Sequence, residues 1–358
     1  MISIKTALIG YGMSGRVFHA PFIDMISGFE LSVVSTANPD TIQSIKKRYP
    51  DTKIVPEAKP ILEDKDIDLV FILTPNQTHY ELAKAALLAG KHVVVDKPFT
   101  VTTQEADELI ELAKKQGKLL TVYQNRRWTA DFKTVKKIIA GGKLGQIVEY
   151  IACYDRYAPA IRPKKWKESK LPGSGVLYDL GAHLIDQALQ LFGMPEEVTC
   201  NIQQQRKNTQ IDDYFLMTLQ YKELVVSLHS GMLVRIPGPN FAIHGTNGSF
   251  IKYGLDIQEG DSDKGKTPDM PNWGVEPQSQ WGKLTCTIDD LSVTATVESD
   301  PGSYSDFFIN LRNAIRGTEP LAVQPEEACD VIRIIEAGIQ SHQEHRSIRI
   351  KLKVKNEK

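Results

Sequence analysis

Lys5-Thr6-Ala7-Leu8-Ile9-Gly10-Tyr11-Gly12-Met13-Ser14-Gly15 is a short apolar run that ends in G-x-G-x-x-G and opens into a helix-period segment. That order of strand, glycine turn and helix decides the fold of the first third of the chain. In such a turn Gly10 permits the tight bend, Gly12 lets backbone approach a pyrophosphate, and Gly15 lets helix pack on strand. The helix start at Met13 and Ser14 offers unpaired N–H groups and a positive dipole end to phosphate. Gly10, Tyr11, Gly12, Met13, Ser14 and Gly15 are therefore candidate cofactor contacts, with a plain tight turn as the competing reading.

The same alternation continues outward to residue 124. Apolar runs at Leu31–Thr36, near Ile54, and at Leu69–Leu73, His92–Val95 and Leu119–Tyr123 are separated by amphipathic segments such as Thr78–Leu88 and Thr103–Lys115. Near-continuous apolar strands are buried on both faces, so residues 1–124 are expected to form a Rossmann domain, α/β with a doubly wound parallel sheet. Beyond Asn125 the pattern changes. After a helical stretch, Asp131–Ala140, come alternating or β-rich runs at Val148–Tyr154, Thr199–Gln204, Tyr214–Tyr221, Leu224–Ser230, Phe241–His244 and Leu284–Ile288. Residues 125–358 thus read as an α+β domain with a large, mostly antiparallel open sheet, interrupted by a helix over Leu177–Phe192 and closed by another over Pro325–Gln343. Gly260–Gln280, rich in Asp, Gly, Pro and Ser, reads as a long loop on that second domain, and Val354–Lys358 as a solvated tail.

A chain of 358 residues, 41% hydrophobic and 24% charged, is long enough for two domains of ordinary soluble composition. Lys+Arg of 43 against Asp+Glu of 44 leaves a net charge of −1, so no global field gathers nucleic acid or anionic lipid, and a small neutral substrate is expected instead. Cys153, Cys200, Cys286 and Cys329 lie too far apart for a Cys-x-x-Cys metal site or a compact disulfide framework, and no metal is expected. The amino terminus runs straight into a strand, and no apolar run approaches a membrane span; the expectation is a cytoplasmic protein.

The second strand ends Val34-Ser35-Thr36-Ala37, where an NAD site places an acid for the ribose hydroxyl. Small hydroxyl side chains at Ser35 and Thr36 leave room for a 2′-phosphate, and Lys46, Lys47 and Arg48 follow one helix later. NADP is the expected cofactor, with NAD as the alternative. The fourth strand ends Thr74-Pro75-Asn76 followed by His79, and the fifth ends Asp96-Lys97-Pro98. Ligands of open α/β sheets bind outside the carboxyl ends of strands, which places these residues toward the cofactor.

In the second domain Asp179 and His183 are neighbours at i,i+4 on one helix face, with Asp186 and Gln190, while Leu177, Leu180, Leu184, Ala188 and Leu191 form the apolar stripe. A carboxylate beside an imidazole suits general acid/base work, and an exposed helical ion pair is the plainer alternative.

Together these residues resemble the Gfo/Idh/MocA oxidoreductases, over nearly the full length. The resemblance rests on Gly10–Gly15, Thr74-Pro75-Asn76 with His79, Gly90-Lys91-His92-Val93 leading to Asp96-Lys97-Pro98, and Asp179-x-x-x-His183. The family usually carries Glu where this chain has Asp96. A narrower resemblance, to NADP-dependent scyllo-inositol dehydrogenases, is carried by Phe18-His19-Ala20-Pro21, Asn125-Arg126-Arg127-Trp128, Asp155-Arg156-Tyr157 and Lys252–Glu259; that group commonly has Arg-Trp-Arg in place of Lys165-Trp166-Lys167.

The resemblance implies hydride transfer between a polyol or sugar carbon and a nicotinamide. Lys97, Asp179 and His183 would be catalytic and in contact with substrate, and Trp166 would lie near the cofactor. The Asn-Arg-Arg-Trp stretch reads as a cofactor wall or an interdomain brace, and Asp155 and Tyr157 as sugar contacts or ordinary strand residues. A homodimer or homotetramer through the second domain's sheet is also implied. The alternatives are a nucleotide-sensing regulator on the same fold, or a reductase of another sugar-like carbonyl compound.

Overall fold

The computed structural model describes residues 3–161 and 168–350. Two compact units divide the chain: the first holds residues 1–129, 257–274 and 302–329, the second residues 130–256, 275–301 and 330–358.

In the first unit, β1 (Ile4–Ile9), β2 (Phe29–Ser35), β3 (Lys53–Val55), β4 (Leu69–Ile72), β5 (His92–Val95) and β6 (Leu120–Val122) form one parallel sheet in the order β3-β2-β1-β4-β5-β6. The chain winds outward from β1 to β3, then crosses back to β4, so the direction of winding reverses between β1 and β4. Every residue of β4 is buried, as a strand covered on both faces requires. The connecting helices are α1 (Ala20–Met25), entered through a π turn at Gly15–His19, α2 (Pro39–Arg48), α3 (Lys59–Glu63), α4 (His79–Leu88) and α5 (Thr103–Gln116). Local chemistry sets their ends. Thr102 and Glu105 close a capping box on α5, and Gly117, at φ 61°, terminates it.

The chain continues through α6 (Ala130–Ala140), β7 (Ile147–Cys153), a π turn at Leu177–Gly181 and α7 (Ala182–Phe192). Then come β8 (Glu197–Gln203), β9 (Tyr214–Gln220), β10 (Val225–Gly231), β11 (Phe241–Gly245), β12 (Gly248–Lys252), α8 (Gln258–Asp263), β13 (Gly282–Ile288), β14 (Leu291–Val297), α9 (Ser305–Ile315), α10 (Pro325–Glu344) and β15 (Ile348–Arg349). The second unit's sheet has nine strands in the order β14-β13-β12-β11-β7-β10-β9-β8-β15. Among its described pairs only β7 with β10 runs parallel. One face lies under helices: Tyr150 of β7 meets Phe192 of α7 at 5.3 Å, and Gly338 of α10 sits against Met217 and Cys200.

The fold class agrees with the sequence reading; several details do not. Residues 257–274 cluster with the first unit, not with the second to which the long loop was expected to belong, and that stretch begins with α8. The reading as one continuous second domain from residue 125 also omits α9, whose Phe307, Phe308, Leu311 and Ala314 are buried in the first unit. β12, β14 and β15 are further strands. Cys200, Cys286 and Cys329 are buried and Cys153 half-buried, all four as free thiols.

The second unit contains an ion pair fully out of water. Lys252 Nζ lies 2.5 Å from Glu276 Oε2 and donates to the Gln280 carbonyl at 2.8 Å, both side chains being 0% exposed. Removing one partner strands a buried charge, whereas removing both leaves apolar surface. Lys252→Met should lower unfolding free energy by roughly 3–5 kcal/mol, and adding Glu276→Leu should recover most of it. Urea titration of these variants and of Glu276→Leu alone checks this; a double variant that loses the sum of the two single losses would mean the pair is not coupled.

Candidate functional site

Register lines up the carboxyl ends of the first sheet. Ile9 pairs with Ser35 and with Ile72, and Ile72 with Val95, so Gly10, Thr36, Leu73 and Asp96 each follow the last paired residue of their strand. Gly10 has φ +97°, and a Cβ there would stand 2.7 Å from the Leu73 carbonyl oxygen, a contact only glycine avoids. Gly15 is tight as well, 3.2 Å from the Gly10 carbonyl, while a Cβ on Gly12 would meet nothing within 4 Å. The turn therefore has open space at the glycine where a pyrophosphate must approach, and the residues present fit a dinucleotide. Tyr11 is buried with its phenol raised by burial beside Tyr49, leaving its backbone for any ligand; Met13 is exposed and Ser14 half-buried.

Ser35 is buried and Thr36 half-buried, and the Thr36 hydroxyl accepts the Asn38 N–H at 3.3 Å. Lys46, Lys47 and Arg48 form the last turn of α2, ~12 Å along the helix axis from Asn38, where cations favour the carbonyl end of the dipole.

At the next two strand ends the polar side chains serve one another. Ser14 donates to Asp96 Oδ2 at 2.5 Å, and the Lys97 N–H donates to Oδ1 of the same carboxylate at 2.9 Å. The shorter acid at 96 thus ties the glycine turn to the backbone of Lys97. Thr74 and Thr78 share a hydroxyl bond of 2.6 Å, and Asn76 is buried in the turn after Pro75. His79 is buried, with Nδ1 2.9 Å from the Pro98 carbonyl and Nε2 2.9 Å from that of Thr74. Both ring edges face backbone carbonyls, to one of which the neutral ring donates, so the side chain lies between the two turns instead of facing a ligand. Lys97 is half-buried and precedes Pro98 through a cis peptide bond.

In the second unit Asp179 is half-buried and His183 is 5% exposed. Leu177, Leu180, Leu184 and Ala188 are buried as expected, but so are Asp186 and Gln187, while Leu191 is only half-buried. The exposed ion pair is thus overturned: His183 and Asp186 on the polar face are buried, while Asp179 and Gln190 are half-buried. The entry to this helix is fixed by Asp212, which accepts the Leu177 N–H at 2.8 Å and whose carboxyl burial pushes up to about 6. Gly175, at φ +101°, leaves the space that carboxylate fills.

Tyr154 is the residue that sequence reading missed. Its hydroxyl donates to Gln187 Oε1 at 3.1 Å and its ring lies 6.5 Å from that of His183. Alternation along the strand could have found it, because Tyr150, Ala152 and Tyr154 share the helix-covered face and Asp155 does not. Asp155 accepts from Gly231 N–H at 3.0 Å and pairs with His229 at 2.8 Å on the other face, and Tyr157 lies under Arg235 at 4.1 Å. Trp166, Lys165 and Lys167 lie outside the described residues.

Of the remaining motifs, several prove to be braces within the first unit. Arg126 pairs with Glu259 and Arg127 with Glu327, each at 2.8 Å. Gln258 Oε1 accepts from Trp273 and from the Tyr304 N–H. His19 is buried between Phe71, Tyr123 and Phe308.

The comparison with known proteins matches this architecture. The family model described as "Oxidoreductase family, NAD-binding Rossmann fold" covers residues 4–124, and "Oxidoreductase family, C-terminal alpha/beta domain" covers residues 136–352. The chain belongs to this Gfo/Idh/MocA oxidoreductase family. It is 42% identical to scyllo-inositol 2-dehydrogenase (NADP(+)) IolW of Bacillus subtilis (strain 168), over 97% of this chain and 96% of that one. It is also 42% identical to the uncharacterized oxidoreductase YdgJ of Escherichia coli (strain K12), over 95% and 96%. The solved structure of yvaA from Bacillus subtilis aligns with a TM-score of 0.94 at 41% identity, covering 98% of this chain and 99% of that one.

Burial lowers the pKa of both His19 and His79, so the folded protein holds them neutral, while the unfolded chain takes up their protons near pH 6.5. The unfolded state then binds more protons as pH falls, and stability present above about pH 6.5 is lost on acidification. Unfolding free energy measured between pH 7.5 and 5 should fall, and His19→Asn and His79→Asn should each flatten that slope. A slope unchanged in both variants would assign it to other groups.

Proposed function

We propose that the protein is an NADP(H)-dependent dehydrogenase that interconverts a polyol or sugar carbinol and its carbonyl form, with scyllo-inositol and its keto form as the preferred pair. The observation that carries this reading is the row of strand ends in the first unit, where the glycine turn, Thr36, Thr74 and Asp96-Lys97 follow aligned residues and Ser35 is itself one of them. The name of the relative IolW supports the cofactor and the substrate class. Among the described residues no helix is long and apolar enough to cross a membrane, which agrees with the cytoplasmic reading we retain. A second-unit sheet whose β14 is exposed along nearly its whole length supports assembly into a homodimer or homotetramer.

The nicotinamide, when bound, supplies the hydride acceptor. Backbone N–H groups of Gly10–Gly15 would hold the pyrophosphate, Ser35 and Thr36 the 2′-phosphate, and Thr74, Pro75, Asn76 and Trp166 the remaining wall. Asp96, held by Ser14, fixes the backbone from which Lys97 extends. The Lys97 ammonium polarises the reacting oxygen and stabilises an alkoxide. In oxidation a ring nitrogen of His183 takes the hydroxyl proton and returns it in reduction, with Asp179 orienting the imidazole. His79 acts through the turns it joins.

Ser35→Asp should reverse the cofactor preference toward NAD, since a carboxylate there binds the ribose hydroxyls and repels a 2′-phosphate. Initial rates with both cofactors test it, and a wild-type enzyme that favours NAD refutes the pocket assignment. His183→Ala should lower kcat by about 10²–10⁴-fold and abolish the rise of oxidation rate with pH through neutrality. The same profile in Lys97→Ala, with cofactor binding intact, separates the two roles; a variant lacking His183 that keeps both rate and ionisation dismisses it as the base.

A further inference from the structure

Cys153, Asp155 and His229 lie on the sheet face turned away from α7 and α10, and bring a sulfur, an oxygen and a nitrogen donor within 4.8 Å of one another. Strand register assembles them. In the parallel β7·β10 pair Cys153 stands opposite His229, and the ladder continues past the strand end through Tyr154 N–H to His229 carbonyl and Arg156 N–H to Gly231 carbonyl. Asp155 therefore follows Cys153 by two residues on the same face. Backing groups are present: the Gly231 N–H holds Asp155 Oδ1 at 3.0 Å, Asn240 donates to the Cys153 carbonyl at 3.0 Å, and the Tyr214 ring meets His229 edge-on at 5.1 Å. All three donor residues are half-buried.

We propose that Cys153, Asp155 and His229 form a binding site for a zinc-class divalent ion, with three protein ligands and a fourth position open to water. Thiolate and imidazole donors select zinc, cobalt or copper over magnesium and calcium. With bonds of about 2.0–2.3 Å, a tetrahedral ion sets its ligand atoms roughly 3.3–3.8 Å apart, a spacing these side chains reach by small rotations from the His229–Asp155 contact of 2.8 Å. On binding, a metal–sulfur bond forms as the Cys153 thiol gives its proton to solvent. His229, whose Nδ1–H faces Asp155 Oδ1 at 2.8 Å, gives that proton to solvent and takes one from solvent on Nε2, so that Nδ1 can bind the ion; Asp155 stays held by Gly231, and no group changes oxidation state. The ion would then cross-link the parallel strand pair in an otherwise antiparallel sheet, where strand pairing is weaker per residue.

Cobalt(II) titration of the metal-stripped protein tests the site directly and needs no enzymatic readout. The expected result is one equivalent bound, with a near-ultraviolet thiolate-to-cobalt charge-transfer band that disappears in Cys153→Ser. His229→Gln should weaken cobalt binding by more than ~10-fold. Zinc should displace the band, raise Tm in wild type but not in Cys153→Ser, and protect Cys153 from alkylation as read by mass spectrometry. The alkylation arm uses wild-type protein alone, so it stands even where a variant folds poorly. Absence of the band in wild type, its persistence in Cys153→Ser, or equal alkylation of Cys153 with and without zinc would each overturn the proposal.

Discussion

The close approach of the Gly10 turn to the Leu73 carbonyl governs the first unit. Parallel strands β1 and β4 lie side by side with the chain leaving each in opposite winding directions, and at their ends the Gly10 backbone passes so near the Leu73 carbonyl that a Cβ would stand 2.7 Å from it. Any side chain at residue 10 would push the turns apart, and with them the helix start behind Gly12 and the Thr74 turn. From that contact the polar arrangement follows. Ser14 stands where it can reach Asp96, Asp96 reaches the backbone of Lys97, and His79 lies between the Thr74 and Pro98 carbonyls. The backbone of the lysine is therefore held by a chain of short contacts that begins in the glycine turn.

Much of this was legible because parallel sheets leave strong marks. Strands buried on both faces read as unbroken apolar runs, and six of them stand within a few residues of their expected places. The second unit is harder to read for the same physical reason inverted. β14 is Leu291-Ser292-Val293-Thr294-Ala295-Thr296-Val297, with almost every position exposed, so burial imprints no contrast on it. Helix α9 carries a readable stripe, yet it sits in sequence among strands of the other unit, and the order of elements alone assigns it wrongly.

Candidate residues sort by the same logic. Spacing put Asp179 and His183 on one expected helix face, but Asp179 falls in the π turn before α7, and the burial of His183 depends on what covers α7, which no local pattern records. Tyr154 and Asp155 are adjacent in sequence and belong to opposite sheet faces, a distinction that a motif read as a block erases. The Lys252–Glu259 motif reads as one unit and divides into a buried ion pair, a cap on the Ala130 N–H by Asp256, and the partner of Arg126. Motifs of this kind mark where a chain must be held together as readily as where it acts.

The first unit is discontinuous, and that bears on synthesis. Phe308 stacks on Phe22 at 5.1 Å, Thr121 donates to the Val323 carbonyl, and Arg127 reaches Glu327, so the core that begins at β1 is completed by segments made some 200 residues after Thr129. At ribosomal rates that interval is roughly 10–40 s. Until then the emerging nucleotide-binding half shows uncovered aromatic surface around Phe22, Phe71 and Tyr123. A nascent chain in that condition is a natural client for holding chaperones, and a fragment cut at the end of β6 would inherit the same sticky surface permanently.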